Sequence, residues 1–289
     1  DRLDHPEIFE SFISKNKSVN AVFHYVESIS TSMQPILITG ESGTGKELIA
    51  KACHGASQRL GPLVNINVAG LDDNTFIDTL FGHQQGAFPG ALAERKGLVE
   101  QAANGTLFLD EIGELSQNSQ VKLLRLLQEG EYHPLGADVP KRSRARIIAA
   151  THQQLEARLQ DGSFRKDLYY RLCTHRIKLP PLRARKEDVP LLLDYFIVQA
   201  AQELNKSVPS YPPELPFLLS NYTFPGNVRE LKSMIYDAVS RHKSRLLSME
   251  VFRSVIDADL KKPVVLLEQT VSFHPDQALP SLNEMDSYL

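Results

Sequence analysis

Short apolar runs alternate with segments of helical periodicity along the first part of the chain. The runs at 35–40, 63–68, 106–109, 145–150 and 175–179 are short and apolar, as buried parallel strands are. Between them, apolar positions recur at helical spacing over 46–57, 73–81, 119–129 and 155–160. Strands that alternate with helices predict an α/β fold, in which a parallel sheet is flanked by helices on both faces.

The pattern changes after Pro180 and Pro181. Helical periodicity continues to about Ala258, over 191–200, 213–222 and 227–239, without a convincing strand. We therefore predict three parts, which are an α/β core over 1–183, a small all-helical domain over 184–260 and a linker over 261–289.

Composition narrows the functional class. Hydrophobic residues make up 42% of the 289 residues, which is enough for a buried core. The net charge of -3 does not favour strong nucleic-acid binding by this part of the protein. No apolar run is long enough to span a membrane, and the N-terminus lacks a signal-peptide pattern, so we expect a cytoplasmic protein with no membrane partner. Cys53 and Cys173 are expected to be free thiols rather than metal ligands or a disulfide framework.

A glycine-rich loop lies between the first predicted strand and the first predicted helix. Its glycines let backbone N–H groups turn inward toward phosphates, and the helix N-terminus adds its positive dipole end. Lys46 has the position of the lysine that contacts β- and γ-phosphates, although the strict pattern continues with Ser or Thr where this chain has Glu47. The predicted nucleotide-binding residues of this loop are Gly40, Glu41, Ser42, Gly43, Thr44, Gly45, Lys46 and Glu47.

Two adjacent carboxylates end the third predicted strand. Asp110 and Glu111 follow the apolar run 107–109, at the end of the strand where ligands of parallel sheets bind. Asp110 is expected to hold Mg²⁺, directly or through water. Glu111 is expected to polarise the water that attacks the γ-phosphate.

Seven motifs, which occur in a fixed order along the chain, indicate a particular protein family rather than nucleotide binding in general. They read GESGTGKE at 40–47, GTLFLDEIGEL at 105–115, QVKLLRLLQEGEY at 120–132, RIIAATH at 146–152, FRKDLYYRL at 164–172, LPPLRARKEDVP at 179–190 and FPGNVREL at 224–231. Over about residues 9–258, the chain resembles the AAA+ P-loop ATPase domain of sigma-54-dependent bacterial transcription activators. The resemblance implies that the helical domain is a lid, and that the chain is an ATPase whose cofactors are ATP and Mg²⁺.

The resemblance also implies self-assembly into a ring, either a hexamer or a dimer that becomes a hexamer, with ATP bound between subunits. Asn67 matches an asparagine that holds the catalytic glutamate, and Thr151 with His152 matches the sensor of the γ-phosphate. Arg165 and Arg171 match arginines donated to the neighbour's nucleotide, and Arg229 matches the lid's sensor arginine. The catalytic set that follows is Asp110, Glu111, Asn67, Arg165 and Arg171.

The family's loop for sigma-factor contact reads GAFTGA, whereas this chain reads GAFPGA. The corresponding residues are Gly86, Ala87, Phe88, Pro89, Gly90 and Ala91. Pro89 removes a hydroxyl and a backbone N–H, and it pushes Phe88 toward extended backbone. Pro134 stands where the family's neighbouring loop usually has arginine, and Gln84 stands where glutamate is common.

Three functions remain open at this point. The first is ATP-driven remodelling of sigma-54 RNA polymerase. The second is transcription regulation on the same scaffold without sigma-54, with ATP or another nucleotide such as cyclic di-GMP as the effector; no residue set near 12–18 decides this. The third is general protein remodelling, which the GAFPGA loop and the FPGNVREL motif disfavour. The resemblance further implies two-component regulation and promoter binding through a helix-turn-helix domain beyond the segment 279–289.

Overall fold

A computed structural model of the chain describes residues 2–243 and 245–260, so the predicted linker at 261–289 lies outside the described residues. The strands are β1 Ile36–Thr39, β2 Leu63–Asn67, β3 Gly82–His83, β4 Arg95–Lys96, β5 Thr106–Asp110, β6 Glu131–Tyr132, β7 Lys141–Arg142, β8 Arg146–Thr151 and β9 His175–Lys178. The helices are α1 Lys17–Ser28, α2 Lys46–Ala56, α3 Asp73–Phe81, α4 Leu98–Gln101, α5 Gln117–Glu129, α6 Leu155–Gln160, α7 Lys166–Leu172, α8 Asp188–Glu203, α9 Leu215–Ser220, α10 Asn227–Arg241 and α11 Glu250–Leu260. In the part of the chain described, no helix combines the length and apolar character that crossing a membrane requires.

Five strands form one parallel sheet in the order β2-β5-β8-β1-β9. The register pairs Asn67 with Asp110 and Thr39 with Thr151, so the carboxyl ends of four strands meet at one edge. The predicted parallel sheet is confirmed, and each strand lies within two residues of its predicted bounds.

Side chains of the sheet alternate between two apolar clusters, as neighbouring residues of a strand must. One cluster joins the sheet to α3, α5 and α7, and its strand residues include Leu37, Leu107, Leu109, Ile147 and Ala149. The other joins the sheet to α1 and α2, and its strand residues include Ile36, Ile38, Phe108, Ile148 and Ile177. Helices therefore cover both faces, as the near-continuous apolar strands predict.

The helices α8 to α11 surround a third apolar cluster. Leu193 of α8, Leu215 of α9, Leu231 and Ile235 of α10 and Phe252 of α11 are fully buried in it. The predicted all-helical lid is confirmed as a fold. The helices run longer than the periodic segments that predicted two of them, since α8 continues to Glu203 and α10 to Arg241.

Sequence patterns missed α1, α4, α7 and two short hairpins. The side chain of Asn16 accepts hydrogen bonds from the N–H groups of Ser18 and Val19, at 2.9 and 3.2 Å, and so caps α1. The hairpins pair β3 with β4 and β6 with β7, and each strand has only two residues. A pattern of two residues has no period, so these hairpins carried no signal.

Arg146 is a charged residue in the apolar interior, at 1% exposure. Its guanidinium donates to the carbonyl oxygens of Ile29 and Ser30, at 2.8 and 3.1 Å, just beyond the C-terminal end of α1. These carbonyls lack partners inside the helix, and a cation suits the negative end of the helix dipole. Arg146 therefore fastens α1 to the sheet.

We expect Arg146→Met to lower the free energy of unfolding by about 3 kcal/mol, because buried carbonyl oxygens lose their donors. Urea unfolding followed by circular dichroism measures the change. Arg144→Met is the matched control, since the side chain of Arg144 is exposed and the expected loss is about 0.5 kcal/mol or less. Equal losses in the two variants would contradict the fastening role of Arg146.

Candidate functional site

A cavity of about 580 Å³ opens where the loop 40–47 meets the acidic end of β5 and the lid. Its volume suits a ligand of nucleotide size. The lining includes the polar residues 42–47, Asn67, Asp110, Glu111, Arg185, Gln199, Arg229 and Lys232, and the apolar residues Phe12, Ile13, Leu192, Phe196 and Val228. A charged end and an apolar end match the two ends of a nucleotide.

The glycine-rich loop takes backbone conformations that its glycines permit. Gly43 and Gly45 have φ of 76° and 105°, which side chains rarely adopt. Close approach excludes side chains as well, since a Cβ on Gly43 would lie 2.4 Å from the Gly226 carbonyl oxygen. The helix α2 begins at Lys46, directly after the loop, so its free N–H groups face the cavity side of the loop.

Lys46 is buried, and its Nζ donates to the carbonyl oxygens of Gly40 and Glu41, at 3.0 and 3.4 Å. Burial lowers the pKa of Lys46, while the charges of Glu111 and Asp110 act in the opposite direction. Lys46 is therefore a poorly solvated cation, which favours an anionic ligand, whereas the two carboxylates nearby favour a bound cation.

The lid is bonded to the same loop through Glu41. The carboxylate of Glu41 accepts two hydrogen bonds from the guanidinium of Arg183, at 2.5 and 2.8 Å, and one from Nδ2 of Asn227 at 3.1 Å. The hydrogen bonds from Arg183, more than any other cause, lower the pKa of Glu41 from its ordinary 4.5 to about 2. Glu41 therefore remains charged at physiological pH and holds the two parts of the chain together.

Three further bonds join the lid side to the loop. Nδ2 of Asn227 donates to the Ser42 carbonyl at 3.0 Å, and the Val228 N–H donates to the Gly43 carbonyl at 3.1 Å. The fully buried Arg185 donates from Nη2 to the Thr44 carbonyl at 2.8 Å. Four consecutive loop residues, 41–44, are thus held from the lid side.

The acidic pair lies at the floor of the cavity. Burial raises the pKa of Asp110, and the charge of Glu111 raises it further, while Lys46 lowers it. Glu111 has a φ of 59°, which turns the chain sharply after β5. Its Oε2 lies 2.6 Å from Nδ1 of His152 and accepts from the His152 backbone N–H at 3.3 Å. His152 therefore fixes the position of the Glu111 carboxylate, which is the group expected to polarise the attacking water.

Other residues singled out in the sequence lie at the same edge with different partners. Asn67 lines the cavity, but its Oδ1 accepts from the Ala69 N–H at 2.9 Å. Among the described residues, the Glu111 carboxylate is hydrogen-bonded to His152 instead. Thr151 is buried, and its Oγ1 accepts from the N–H of Gln153 at 3.1 Å. These residues surround the acidic pair without forming one hydrogen-bonded chain.

The three arginines are placed differently. Arg229 lines the cavity, and its Nη1 donates to Oγ of Ser42 at 2.8 Å. Among the residues described, neither Arg165 nor Arg171 lines this cavity. Arg165 pairs with Asp167 at 2.7 Å on the surface, and Nε of Arg171 donates to the carbonyl of Leu127 at 2.9 Å.

Sequence reasoning missed Arg183, Arg185 and Phe12. The two arginines lie in the LPPLRARKEDVP motif, so the motif was noticed but no role was assigned to them. The guanidinium of Arg185 lies 5.2 Å from the centre of the Phe12 ring, and that ring lies against Gly45. Phe12 precedes α1 on a segment without periodicity, so nothing in the sequence placed it under the loop.

The acidic pair, Asp110 and Glu111, suits a Mg²⁺ ion that also binds the phosphate groups of a nucleotide. No group of three or more His, Cys, Asp or Glu residues suited to a metal occurs within residues 2–243 and 245–260. Mg²⁺ usually takes one or two carboxylates and completes its shell with phosphate oxygens and water. The raised pKa of Asp110 agrees with this, because the carboxylate lacks an equal positive charge in the protein alone.

The segment 86–91 forms a tight turn. The Ala91 N–H donates to the Phe88 carbonyl at 3.0 Å, and Gly90 has a φ of 101°. Pro89 and Gly90 thus occupy the positions that a type II turn favours for proline and glycine. The Phe88 ring lies 4.9 Å from the His83 ring and stays 42% exposed. The substitution that distinguishes GAFPGA from GAFTGA therefore suits a pre-ordered turn.

Comparison with known families gives two adjoining matches. Residues 12–178 match the sigma-54 interaction domain, and residues 183–264 match an AAA+ ATPase lid domain. The first match alone covers more than half of the chain.

Similar proteins and structures agree with these matches. The DNA-binding transcriptional regulator NtrC of Klebsiella pneumoniae is 41% identical over 269 residues, which is 93% of this chain and 55% of that protein. NtrC of Salmonella typhimurium is 45% identical over 222 residues, which is 76% of this chain and 47% of that protein. The structure of NtrX from Brucella abortus in complex with ATP has a TM-score of 0.76 at 30% identity, over 83% of this chain and 56% of that one. This chain spans about half the length of the curated relatives it matches.

We expect Glu41→Gln to weaken the binding of a fluorescent ADP analogue by a few-fold at most, because an ion pair this exposed contributes about 1 kcal/mol or less. The pKa of Glu41 is depressed, so the contribution of its charge is present above 4.5 and is lost as pH falls toward about 2. The effect should therefore be constant across neutral pH. Asp237→Asn, which removes an exposed pair with Arg241 away from the cavity lining, is the matched control. A pH-dependent effect near neutrality would contradict the assignment.

Proposed function

The chain belongs to the family of sigma-54 interaction domains with an AAA+ ATPase lid, and on that premise we propose that it binds and hydrolyses ATP in a ring and remodels sigma-54 RNA polymerase. The observation that carries the proposal is the cavity that brings Lys46 and the glycine-rich loop face to face with Asp110 and Glu111. Phosphate-binding and water-activating groups thus share one space.

The chemistry follows from these positions. Lys46 and the loop amides bind the phosphates, and the apolar end near Leu192 and Phe196 takes the base. Glu111 accepts a proton from the attacking water, as general bases within hydrogen-bond reach do. His152 orients that carboxylate and lies beside the position expected for the γ-phosphate, so the two residues respond together to the state of the nucleotide.

Asp110 would hold Mg²⁺ together with the phosphate oxygens. When bound, the ion neutralises negative charge on the phosphates during transfer. The residues of this chain then determine the direction of attack, since Glu111 follows Asp110 at the sharp turn that ends β5.

Arg165 and Arg171 serve a neighbouring subunit in this proposal. Their distance from their own cavity, within the described residues, supports a role in trans. Guanidinium groups remain charged and bind phosphate oxygens in a fork, which suits a transition state rich in negative charge. Arg229 acts within its own subunit, since the lid already brings it to Ser42.

The turn at Pro89 and Gly90 favours a second candidate, in which the ring regulates transcription without sigma-54. A proline turn supplies neither the hydroxyl nor the N–H of a threonine, so one set of contacts to the sigma factor is missing. ATP, or another nucleotide such as cyclic di-GMP, would then set the assembly state. Promoter binding through a further domain, as in the relatives named DNA-binding regulators, stays a prediction for either candidate.

We expect Glu111→Gln to slow ATP hydrolysis by about 100-fold or more while the affinity for ATP changes little, because the water loses its base. Phosphate release and binding of a fluorescent ATP analogue measure the two quantities. Glu114→Gln is the matched control, as an exposed carboxylate three residues away that does not line the cavity. Full hydrolysis in Glu111→Gln would remove Glu111 from this role.

We expect the protein, loaded with ADP and a metal-fluoride mimic of the transferring phosphate, to capture purified sigma-54. Pro89→Thr should strengthen capture by about fivefold, which corresponds to one net hydrogen bond of about 1 kcal/mol. Pro140→Thr on the neighbouring loop is the control. Capture by Pro89→Thr but not by the natural chain would favour the second candidate. Equal capture by both would contradict the interpretation of the turn.

A further inference from the structure

A buried glutamine joins the segment after the acidic pair to the segment that carries Arg165. Gln120, on α5, is 0% exposed. Its Oε1 accepts from the Arg165 backbone N–H at 2.8 Å, and its Nε2 donates to the carbonyl oxygens of Leu115 and Ser163, both at 2.9 Å. All three partners are backbone groups, so Gln120 fixes the paths of two chain segments.

These bonds admit one orientation of the side-chain amide, because one end must accept and the other must donate twice. The Arg165 N–H lies directly before α7, where the helix offers it no acceptor. An apolar side chain of similar size would leave a donor and two acceptors unpaired in the interior. The backbone at Arg165 would then move to find other partners.

Neighbouring side chains strengthen the same junction. Nε2 of Gln117 donates to the Gly162 carbonyl at 2.6 Å, and Nε of Arg158 donates to Oγ of Ser163 at 2.9 Å. Nη1 of Arg158 also donates to the carbonyl of Gly113, in the short helical turn that follows Glu111. The segments 113–120 and 158–165 are therefore one bonded unit.

The side chain of Arg165 is less firmly fixed by its contacts than the backbone of Arg165 is. Within residues 2–243 and 245–260 it pairs with Asp167 alone, in contacts of 2.7 and 3.0 Å at the surface, where both side chains are more than a third exposed. Such pairs fix a long side chain poorly. The place from which the guanidinium reaches outward is consequently set by Gln120 and the backbone junction.

We propose that Gln120 is a positioning residue for Arg165. It holds the backbone of Arg165 where the guanidinium can reach the nucleotide of a neighbouring subunit. It also connects the position of Arg165 to the segment that follows Glu111 of the same subunit. The inference rests on the proposed function, in which Arg165 acts in trans.

The first test compares Gln120→Met with the natural chain. We expect the turnover of ATP to fall roughly 10- to 100-fold, since misplacing a catalytic group by about 1 Å has effects of this size. Affinity for a fluorescent ADP analogue and assembly into rings should stay unchanged, because Gln120 lies outside the nucleotide cavity. Gln120→Asn keeps an amide with both a donor and an acceptor, at shorter reach, and should retain more activity than Gln120→Met. Turnover that Gln120→Met leaves unchanged would overturn the inference.

The deciding test mixes variants in one ring. A Gln120→Met subunit has an intact Glu111 but donates its arginine poorly, whereas a Glu111→Gln subunit donates well but has an inactive site. In a ring, each ATP site meets one neighbouring subunit that donates the arginine. In an equal mixture, about a quarter of the interfaces combine an intact Glu111 with a neighbour that donates well, and turnover should be restored at those interfaces. The same mixture with Arg165→Ala in place of Gln120→Met tests the proposed function itself.

The outcomes separate the two claims. Restoration in both mixtures supports Gln120 as a positioning residue for an arginine that acts in trans. Restoration with Arg165→Ala but not with Gln120→Met would mean that Gln120 serves its own site, and the inference fails alone. Restoration in neither mixture overturns the action of Arg165 in trans and the inference with it. If Gln120→Met does not fold, Gln120→Leu, which also removes the contact to the Arg165 N–H, takes its place in the mixture.

Discussion

The attachment of the lid to the glycine-rich loop is the contact on which the rest of the site depends. A loop with three glycines in eight residues can take many conformations, and contacts from neighbouring segments add to its own hydrogen bonds in fixing one of them. The Glu41 carboxylate accepts hydrogen bonds from the side chains of Arg183 and Asn227. The Gly43 carbonyl accepts one from the Val228 N–H, and the Thr44 carbonyl accepts one from the Arg185 guanidinium. Hydrogen bonds from the lid side therefore help to hold the shape of the glycine-rich loop. Lid position and nucleotide binding are for this reason coupled in the geometry of this chain.

The parallel sheet supplies the second condition, because it sets four distant segments side by side. Asn67 pairs with Asp110 and Thr39 pairs with Thr151, and the Gly40 N–H donates to the Thr151 carbonyl at 3.3 Å. The loop, the acidic pair and the sensor position are thus successive ends of neighbouring strands. A shift of one strand by one residue would turn its inward side chains to the opposite face, so the two apolar clusters protect the register of the site.

The five sheet strands and the acidic pair could be predicted because long apolar runs and adjacent charges are local signals. The partner of Glu111 could not, since the choice between Asn67 and His152 depends on side-chain rotamers in the folded chain. The bond from Arg183 to Glu41 joins residues 142 positions apart, and neither residue has a sequence feature that points to the other. The sequence therefore predicted which residues would meet at one edge of the sheet, whereas their hydrogen-bond partners could not be predicted from it.

The GAFPGA loop is connected to the acidic pair through the two short hairpins and α5. The loops of the two short hairpins are bonded to each other, because the Gln84 N–H donates to the Leu135 carbonyl and the Leu135 N–H donates to the Gly82 carbonyl, both at 2.9 Å. The helix α5 begins after the loop that follows Glu111 and ends directly before β6, so it runs from the acidic pair to the second of these loops. A proline turn at Pro89 stiffens the tip of this unit but leaves its attachment to α5 in place. The connection from Glu111 through α5 to the two hairpins is therefore present with proline at position 89, and Pro89 affects the conformation of the turn itself.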